Sequence, residues 1–305
     1  MLAHRSYRHV YTLDYQAPRP AITTFALPYQ PVIKILGSHN GILLVRTGRT
    51  LRLWNPSIRM FRTFSPPDFS SGSTFYGLGY DSASDDFKVI RAIRPKRKNA
   101  TSAVHVFSSR LGSWKRIGEF DYQMVQSHDW TSGTVLNGAP HSVVERLGSG
   151  MGAVIVYFDA TEEKFKEVPS PDCEGANILV SSCGVGLGVL GGSLCVVKRH
   201  YESHASHHAD VWVMKEYGVK ESWSKLFVVP IESGEFYSYR CMPLCYANDG
   251  EVVMMFDSKM LVSYNPKENS YKTISNDQDR PELDVTLYVE SLASPHGGIG
   301  TKGHL

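Results

Sequence analysis

The sequence predicts an all-β protein with the architecture of a β-propeller, and three observations support this fold class. Segments in which apolar and polar residues alternate, the pattern of a half-buried strand, recur along most of the chain. Turns containing Gly, Asn or Pro separate these segments, and the pattern repeats about every 50 residues, as in propeller arrays. No segment longer than ten residues has a convincing 3.6-residue period, so we expect little helix.

Five segments share one pattern, in which an alternating strand runs into a polar turn and a second strand opens with an aromatic residue. They are LRLWNPSIRMF, VHVFSSRLGSW, IVYFDATEEKF, VWVMKEYGVKESW and LVSYNPKENSY. The aromatic residues recur at intervals of 53, 51, 58 and 48 positions, and they are Phe61, Trp114, Phe165, Trp223 and Tyr271. We expect each ring to pack between neighbouring sheets.

A second hairpin precedes most of these segments, as a Gly turn followed by an apolar strand. HNGILLV, LGGSLCVV and NDGEVVMMF are the clear copies, and LNGAPHSVV is a weaker one because Pro140 removes a ladder donor. Each unit therefore supplies about four strands in ~50 residues, which is the size of a kelch-type propeller blade.

The two ends of the chain are strand-like and lie outside these five units. We expect residues 9–15 and 285–292 to pair and form a sixth blade, which closes the ring and removes its open edges. The prediction is a kelch-like propeller of six blades over residues 1–294, closed by its N- and C-terminal strands and followed by a disordered tail over residues 295–305.

Composition and terminal patterns exclude several classes of protein. With 42% hydrophobic and 20% charged residues among 305, the chain is globular. No apolar run reaches the ~18 residues of a membrane span, and the N-terminus lacks the apolar core of a secretory signal. We therefore expect a cytoplasmic or nuclear protein without membrane contact, whose five cysteines are reduced and buried.

The net charge of +2 hides a strong asymmetry along the chain. The first 118 residues carry 18 Lys or Arg and five acids, whereas the remaining residues carry 14 Lys or Arg and 25 acids. Arg94, Lys96, Arg97 and Lys98 form the densest basic cluster, between two predicted strands, and also resemble a short nuclear import signal. We interpret them as candidate contacts for an acidic protein or a phosphate, with an ordinary solvated loop as the plainer alternative. No segment of the sequence resembles a DNA recognition helix or an RNA-stacking signature, which argues against nucleic acid as a binding partner.

Four histidines lie in one insertion of the fourth unit. They could bind zinc if they converged, but their spacing matches no helical H-x3-H site with a third ligand. The sequence therefore favours a solvated loop and predicts no metal, with His200, His204 and His207 as candidate contacts for a partner.

Catalytic signatures are missing from the sequence. There is no G-x-S-x-G elbow, H-E-x-x-H motif or P-loop. GVGLGVLGG resembles a dinucleotide-binding loop, but no strand–turn–helix pattern surrounds it. The Asp85–Asp86 pair has no recognisable partner carboxylate elsewhere in the sequence. We expect a non-enzymatic protein without catalytic residues or cofactors.

The order of these motifs resembles the plant F-box-associated interaction domain of F-box/kelch-repeat and pollen S-locus F-box proteins. The resemblance extends over residues 9–295, and it rests on HNGILLV, LWNPSIRMFRTFSPP, YGLGYDSASDDFKVIRAI, VHVFSSRLGSWKRI, FDATEEKFKEVPSP, VWVMKEYGVKESWSKLF and YVESL. The resemblance implies a non-catalytic domain that captures a substrate protein through its loops, as a substrate receptor in ubiquitination. In that family the F-box docks a Skp-type adaptor of a cullin ubiquitin ligase.

One departure from the family pattern affects the expected partners. Only 38 residues precede His39, and they read as strand and turn, so we expect the helical F-box to be absent from these residues. Adaptor binding is then expected only if an F-box is supplied. A free-standing interaction propeller unconnected with ubiquitination is the alternative, and a propeller enzyme with a site at the axis is a weaker one.

Overall fold

Antiparallel strands joined by short turns make up the computed structural model, as the alternating segments require. It describes residues 2–6, 9–14, 21–26, 33–67, 74–93, 102–124, 133–146, 153–173, 176–177, 185–200, 207–231, 241–247, 249–256, 258–276 and 284–297. Within these ranges the single helical segment is a 3₁₀ turn at Lys220–Ser222. No helix there has the length and apolar character to cross a membrane.

The chain begins with three antiparallel strands, which are β1 (Leu2–Ser6), β2 (His9–Asp14) and β3 (Ala21–Ala26). Five sheets follow, each built from strands that are consecutive in the chain, and we call these sheets blades 1 to 5. Blade 1 consists of β4 (Ile33–His39), β5 (Ile42–Thr47), β6 (Thr50–Asn55) and β7 (Met60–Phe64). Blade 2 consists of β8 (Thr74–Asp81), β9 (Asp86–Ile93), β10 (Ser102–Ser108) and β11 (Ser113–Phe120).

Blade 3 is irregular, because its first strand is divided in two. Both β12 (Tyr122–Met124) and β13 (Thr134–Leu136) pair with β14 (Ala139–Arg146). The sheet continues through β15 (Ala153–Asp159) and β16 (Lys164–Val168). Pro140 is tolerated since it is the second residue of its strand, where it lies opposite Val135.

The remaining blades return to four strands. A two-stranded ribbon of β17 (Asp172–Cys173) and β18 (Ala176–Asn177) follows blade 3. Blade 4 consists of β19 (Val185–Leu190), β20 (Ser193–His200), β21 (His207–Met214) and β22 (Trp223–Ile231). Blade 5 consists of β23 (Cys241–Tyr246), β24 (Val252–Phe256), β25 (Met260–Asn265) and β26 (Ser270–Asn276).

The two chain ends share one sheet, which we call the terminal sheet. Its order is β27-β1-β2-β3, where β27 is Val285–Leu287 and pairs antiparallel with β1. Apolar clusters join this sheet to both neighbouring blades: Val10 packs with Ile35 and Trp54 of blade 1, and Leu287 packs against the Leu244 cluster of blade 5.

The all-β propeller prediction is confirmed, but the predicted number of blades is wrong. Among the described residues five blades are present rather than six. The terminal strands do not reproduce the predicted pairing of residues 9–15 with 285–292, since β27 pairs with β1 and is only three residues long. The reason is that residues 288–297 leave the sheet and bind the turns of blade 1, as described below.

The apolar core lies between adjacent sheets. Leu36 and Leu44 of blade 1 pack with Leu78 and Val89 of blade 2, and equivalent clusters join blade 2 to 3, blade 3 to 4 and blade 4 to 5. The three cysteines with described side chains are buried: Cys195, Cys241 and Cys245.

In blades 2 and 4 the repeated aromatic residue connects the blade to the one before it by a hydrogen bond. The indole N–H of Trp114 donates to the carbonyl of Ser65 at 2.7 Å, just after the outer strand of blade 1. Trp223 repeats this bond with Pro169 at 2.8 Å, after the outer strand of blade 3. Phe61 departs from the prediction, because it is 43% exposed and lies beside the Arg52 guanidinium.

Candidate partner-binding face

The up-and-down course of the strands gives the propeller two different faces. In each blade the turn between the first and second strands lies at the same end as the turn between the third and fourth strands. We call this end the turn face, and its described residues are 40–41, 56–59, 82–85, 109–112, 137–138, 160–163, 191–192, 215–222, 247, 249–251 and 266–269. The opposite end, which we call the loop face, carries the connection from the second to the third strand and the connection between blades.

Hydrogen bonds between neighbouring blades bind the turn face together. The Tyr80 N–H of blade 2 donates to the Gly138 carbonyl of blade 3 at 2.8 Å. The Thr161 hydroxyl of blade 3 donates to the Asp81 carboxylate of blade 2 at 2.9 Å. The Arg62 guanidinium of blade 1 donates to the Ser109 carbonyl of blade 2. These turns therefore use their polar groups on one another.

A buried lysine reinforces the junction between blades 2 and 3. Lys88 Nζ donates to the Ala160 carbonyl at 2.8 Å and to Glu163 Oε1 at 3.0 Å, and lies 3.7 Å from Asp81. Burial acts to raise the pKa of Glu163, but hydrogen bonds and charge from Lys115 and Lys88 outweigh it and lower the pKa. Lys88 is therefore paired with acidic residues inside the junction of blades 2 and 3 and does not add to an exposed basic surface.

Asp86 has a structural role in the same blade. Its carboxylate accepts hydrogen bonds from the hydroxyls of Ser108 and Ser109, at 2.6 and 2.9 Å, and from the Arg110 N–H at 2.8 Å. It therefore holds the turn between β10 and β11, which gives the second acid of the Asp85–Asp86 pair a structural role.

The C-terminal segment covers part of the turn face. The Asn55 side-chain amide donates to the carbonyls of Ser291 and Ala293, at 3.0 and 2.9 Å, and the Ser291 hydroxyl donates to the Asn40 carbonyl. Pro295 is buried. Residues 298–305 of the predicted tail lie outside the described residues, so the domain boundary at 294 stays a prediction.

The strand ends that flank both predicted binding clusters lie on the loop face. Arg94, Lys96, Arg97 and Lys98 themselves fall in residues 94–100, outside the described residues. Those residues follow Ile93, the last residue of β9, which is the second strand of blade 2. His204 is likewise outside the described residues, and His207 is described in its backbone only. His200 ends β20, the second strand of blade 4.

The loop face of blade 1 carries basic residues that the sequence analysis missed. Lys34 and Arg46 are directly opposite each other across β4 and β5, and Arg49 is exposed in the following turn. Like charges placed opposite each other raise the local positive potential. The signal was the hairpin RTGRT, in which Arg46 lies in the strand before the two-residue turn and Arg49 lies in the turn itself.

Residues 87–118 hold nine Lys or Arg and no acid, and much of this basic run is internal or paired. Lys88 and Arg91 are buried, and Lys115 and Arg116 form ion pairs with Glu163 and Glu119. Of the other basic residues in that run, Arg110 is exposed in the turn after β10, and the cluster over residues 94–98, which lies outside the described residues, stays a candidate contact.

His200 belongs to a small polar cluster rather than to a loop. Its Nε2 lies 3.1 Å from Asp210 Oδ2, and its ring stacks on His208 with centroids 4.6 Å apart. Lys225 Nζ lies 2.8 Å from the same carboxylate oxygen. His208 and Asp210 were not predicted as contacts, because the pairing of β20 with β21 across the insertion is not visible in the sequence.

His141 is the buried imidazole of blade 3, and both of its nitrogens are occupied. The Nδ1–H donates to the Ala139 carbonyl at 2.9 Å, so Nε2 accepts from the Tyr217 hydroxyl at 2.7 Å. Burial lowers the pKa of His141 to about 4. A general base near neutral pH needs a pKa near the working pH and a free nitrogen, and His141 offers neither.

The comparisons with known proteins agree with this architecture. Residues 15–295 match the F-box associated beta propeller domain, and the chain belongs to that family. It is 32% identical over 302 residues to the F-box protein CPR1 of Arabidopsis thaliana, covering 89% of this chain and 69% of that protein. It is 28% identical over 269 residues to an Arabidopsis thaliana F-box/kelch-repeat protein, and the alignment covers 86% of this chain and 69% of that protein.

Solved structures show only a distant likeness. An oligogalacturonate lyase from Vibrio parahaemolyticus aligns with a TM-score of 0.43 and 9% identity, covering 90% of this chain and 79% of that one. We draw no functional conclusion from similarity at this level.

Proposed function

We propose that this propeller captures a substrate protein for a Skp–cullin–F-box ubiquitin ligase, through its loop face and without chemistry of its own. The observation that carries the proposal is the difference between the two faces. The turn face uses its polar groups on its own turns and on the C-terminal segment. The loop face lies at the ends of the strands that flank both candidate clusters.

The charge of the loop face supports an acidic partner. Lys34, Arg46 and Arg49 add to the cluster Arg94–Lys98 that follows β9. At 0.1 M salt the Debye length is ~10 Å, so a surface of this kind attracts an acidic protein as it approaches. Such steering raises the association rate more than it slows dissociation.

The proposed connection to the ligase is inferred from sequence similarity, because the relatives of this chain are F-box proteins. We propose that the Skp-type adaptor joins only through an F-box and that the propeller contributes recognition. Capture then raises the concentration of the substrate near the ligase, which is an effective-concentration mechanism. A cytoplasmic or nuclear location is part of the same proposal.

The test compares two charge-reversed variants that change the net charge equally. The loop-face variant carries Lys96→Glu, Arg97→Glu and Lys98→Glu. The turn-face variant carries Lys164→Glu, Lys215→Glu and Lys267→Glu, three exposed lysines at or beside turns of blades 3, 4 and 5. Proteins captured from plant extract by the immobilised chain are identified by mass spectrometry, and association rates are then measured with the purified partner.

We expect the loop-face variant to associate about 10-fold or more slowly, since steering contributes about 10-fold to 10³-fold to association rates. The turn-face variant should associate at the rate of the unmodified chain. Equal losses in both variants would mean that overall charge, and not the loop face, governs binding. Unchanged association of the loop-face variant would remove the proposed role of these residues.

A further inference from the structure

We propose that His200, His208 and Asp210 form a binding site for a divalent transition metal, with Zn²⁺ as the expected ion. The three residues lie at the loop-face end of blade 4, on the two strands that flank residues 201–206. One potential ligand atom from each of the three lies within 4.8 Å of the others.

The pairing of the strands brings the three side chains together. His200 lies directly opposite His208 in the register of β20 and β21. Asp210 is two residues beyond His208, and residues two apart in a strand project from the same face of the sheet. The site is therefore a consequence of the sheet and needs no contribution from the segment between the strands.

The ligand chemistry suits zinc. Two imidazoles and one carboxylate are a common set of three protein ligands, with water in a fourth position. The Zn–N distance is about 2.0–2.1 Å, so the stacked rings must turn toward a shared point. Both rings are partly exposed, so solvent and a metal ion can reach them.

Two positive groups compete with the metal for Asp210. Lys225 Nζ lies 2.8 Å from Asp210 Oδ2, and Lys198 lies opposite Asp210 across the strands. The Lys225 side chain is 46% exposed, whereas that of Asp210 is 5% exposed. The lysine can therefore move into solvent while the carboxylate stays in place, and a divalent ion can take its position.

The bound ion would tie together the ends of β20 and β21. Because it binds the folded hairpin and not the separated strands, binding should raise the melting temperature as the metal concentration rises, with the logarithm of that concentration once it exceeds the Kd. The inference does not depend on the proposed ligase function, since its test uses the metal alone.

The experiment titrates Zn²⁺ into the untagged 305-residue chain by isothermal calorimetry, after removal of metals with a chelator. The variants are His200→Ala and His208→Ala, with His296→Ala as the matched control, because His296 is an exposed histidine elsewhere in the described chain. Lys225→Met removes the competing cation. Thermal unfolding without metal checks that each variant is folded.

We expect one equivalent of Zn²⁺ to bind the unmodified chain and His296→Ala equally. Loss of either ligand histidine should weaken this binding at least as much as the about 10–100-fold that loss of an outer-shell partner costs. Lys225→Met should bind more tightly. The proposal is overturned if the unmodified chain binds no Zn²⁺, or if His200→Ala and His208→Ala bind it as well as His296→Ala does.

Discussion

At the scale of single residues, His141 makes the stability of the fold depend on pH. Burial lowers its folded-state pKa to about 4, against 6.5 for the free side chain. Above pH 6.5 the imidazole is neutral in the folded and in the unfolded chain, so it does not change the free energy of unfolding with pH. As the pH falls from 6.5 to 4, the unfolded chain binds a proton that the folded chain does not, so stability is lost. The loss reaches about 3 kcal/mol, at 1.36 kcal/mol per pKa unit.

The measurement is chemical denaturation of the unmodified chain and of His141→Gln at several pH values between 7 and 4. The glutamine does not titrate, so the variant should show a flatter dependence of the unfolding free energy on pH, whatever its stability at pH 7. Parallel curves for the two proteins would show that His141 is not the group responsible.

At the scale of secondary-structure elements, the C-terminal strand and the segment after it hold the terminal sheet to blade 1. β27 pairs with β1, and Tyr288 and Ser291 form hydrogen bonds with blade 1. A chain ending at Asp284 loses these bonds and exposes the edge of β1, which invites aggregation. At ~0.5–1.5 kcal/mol for each hydrogen bond, we expect the melting temperature to fall by about 5 °C or more.

A chain ending at Gly297 is the matched control, because it removes residues 298–305 and retains all of these contacts. It should melt at the temperature of the full chain. If the chain ending at Asp284 were equally soluble and melted at the same temperature, the closing role of β27 would be refuted.

The elements also show which parts of the fold could be predicted from sequence. Strand alternation and turn residues are local, so the hairpin at Leu51–Phe64 and the Trp114 contact followed from the repeat. The pairing of β1 with β27 joins residues far apart in sequence, and LAHRS lacks a clear alternation, so both the partner strand and the blade number were mispredicted. His200 was predicted as a contact but His208 and Asp210 were not, because the register of β20 and β21 across the insertion is not visible in the sequence.

At the scale of the whole molecule, the charge asymmetry of the sequence does not translate directly into a basic surface. Lys88 and Lys115 neutralise Glu163 at the turn-face end, and Arg91 is buried. Lys34, Arg46 and Arg49 lie on the loop face of blade 1. Net charge along the chain therefore does not locate a basic surface by itself, because the strand directions decide on which face each charged side chain lies.

The central claim, that the loop face selects a protein for ubiquitination, is tested most directly by supplying an F-box. A helical F-box fused before Met1 is expressed in plant cells together with a protein captured by the unmodified chain, and the half-life of that protein is measured with and without a proteasome inhibitor. The loop-face and turn-face variants are compared in the same fusion. We predict that the fusion shortens the half-life in a proteasome-dependent way, that the turn-face variant does the same, and that the loop-face variant does not. An unchanged half-life, in a fusion that binds both the Skp-type adaptor and the captured protein, would contradict the claim.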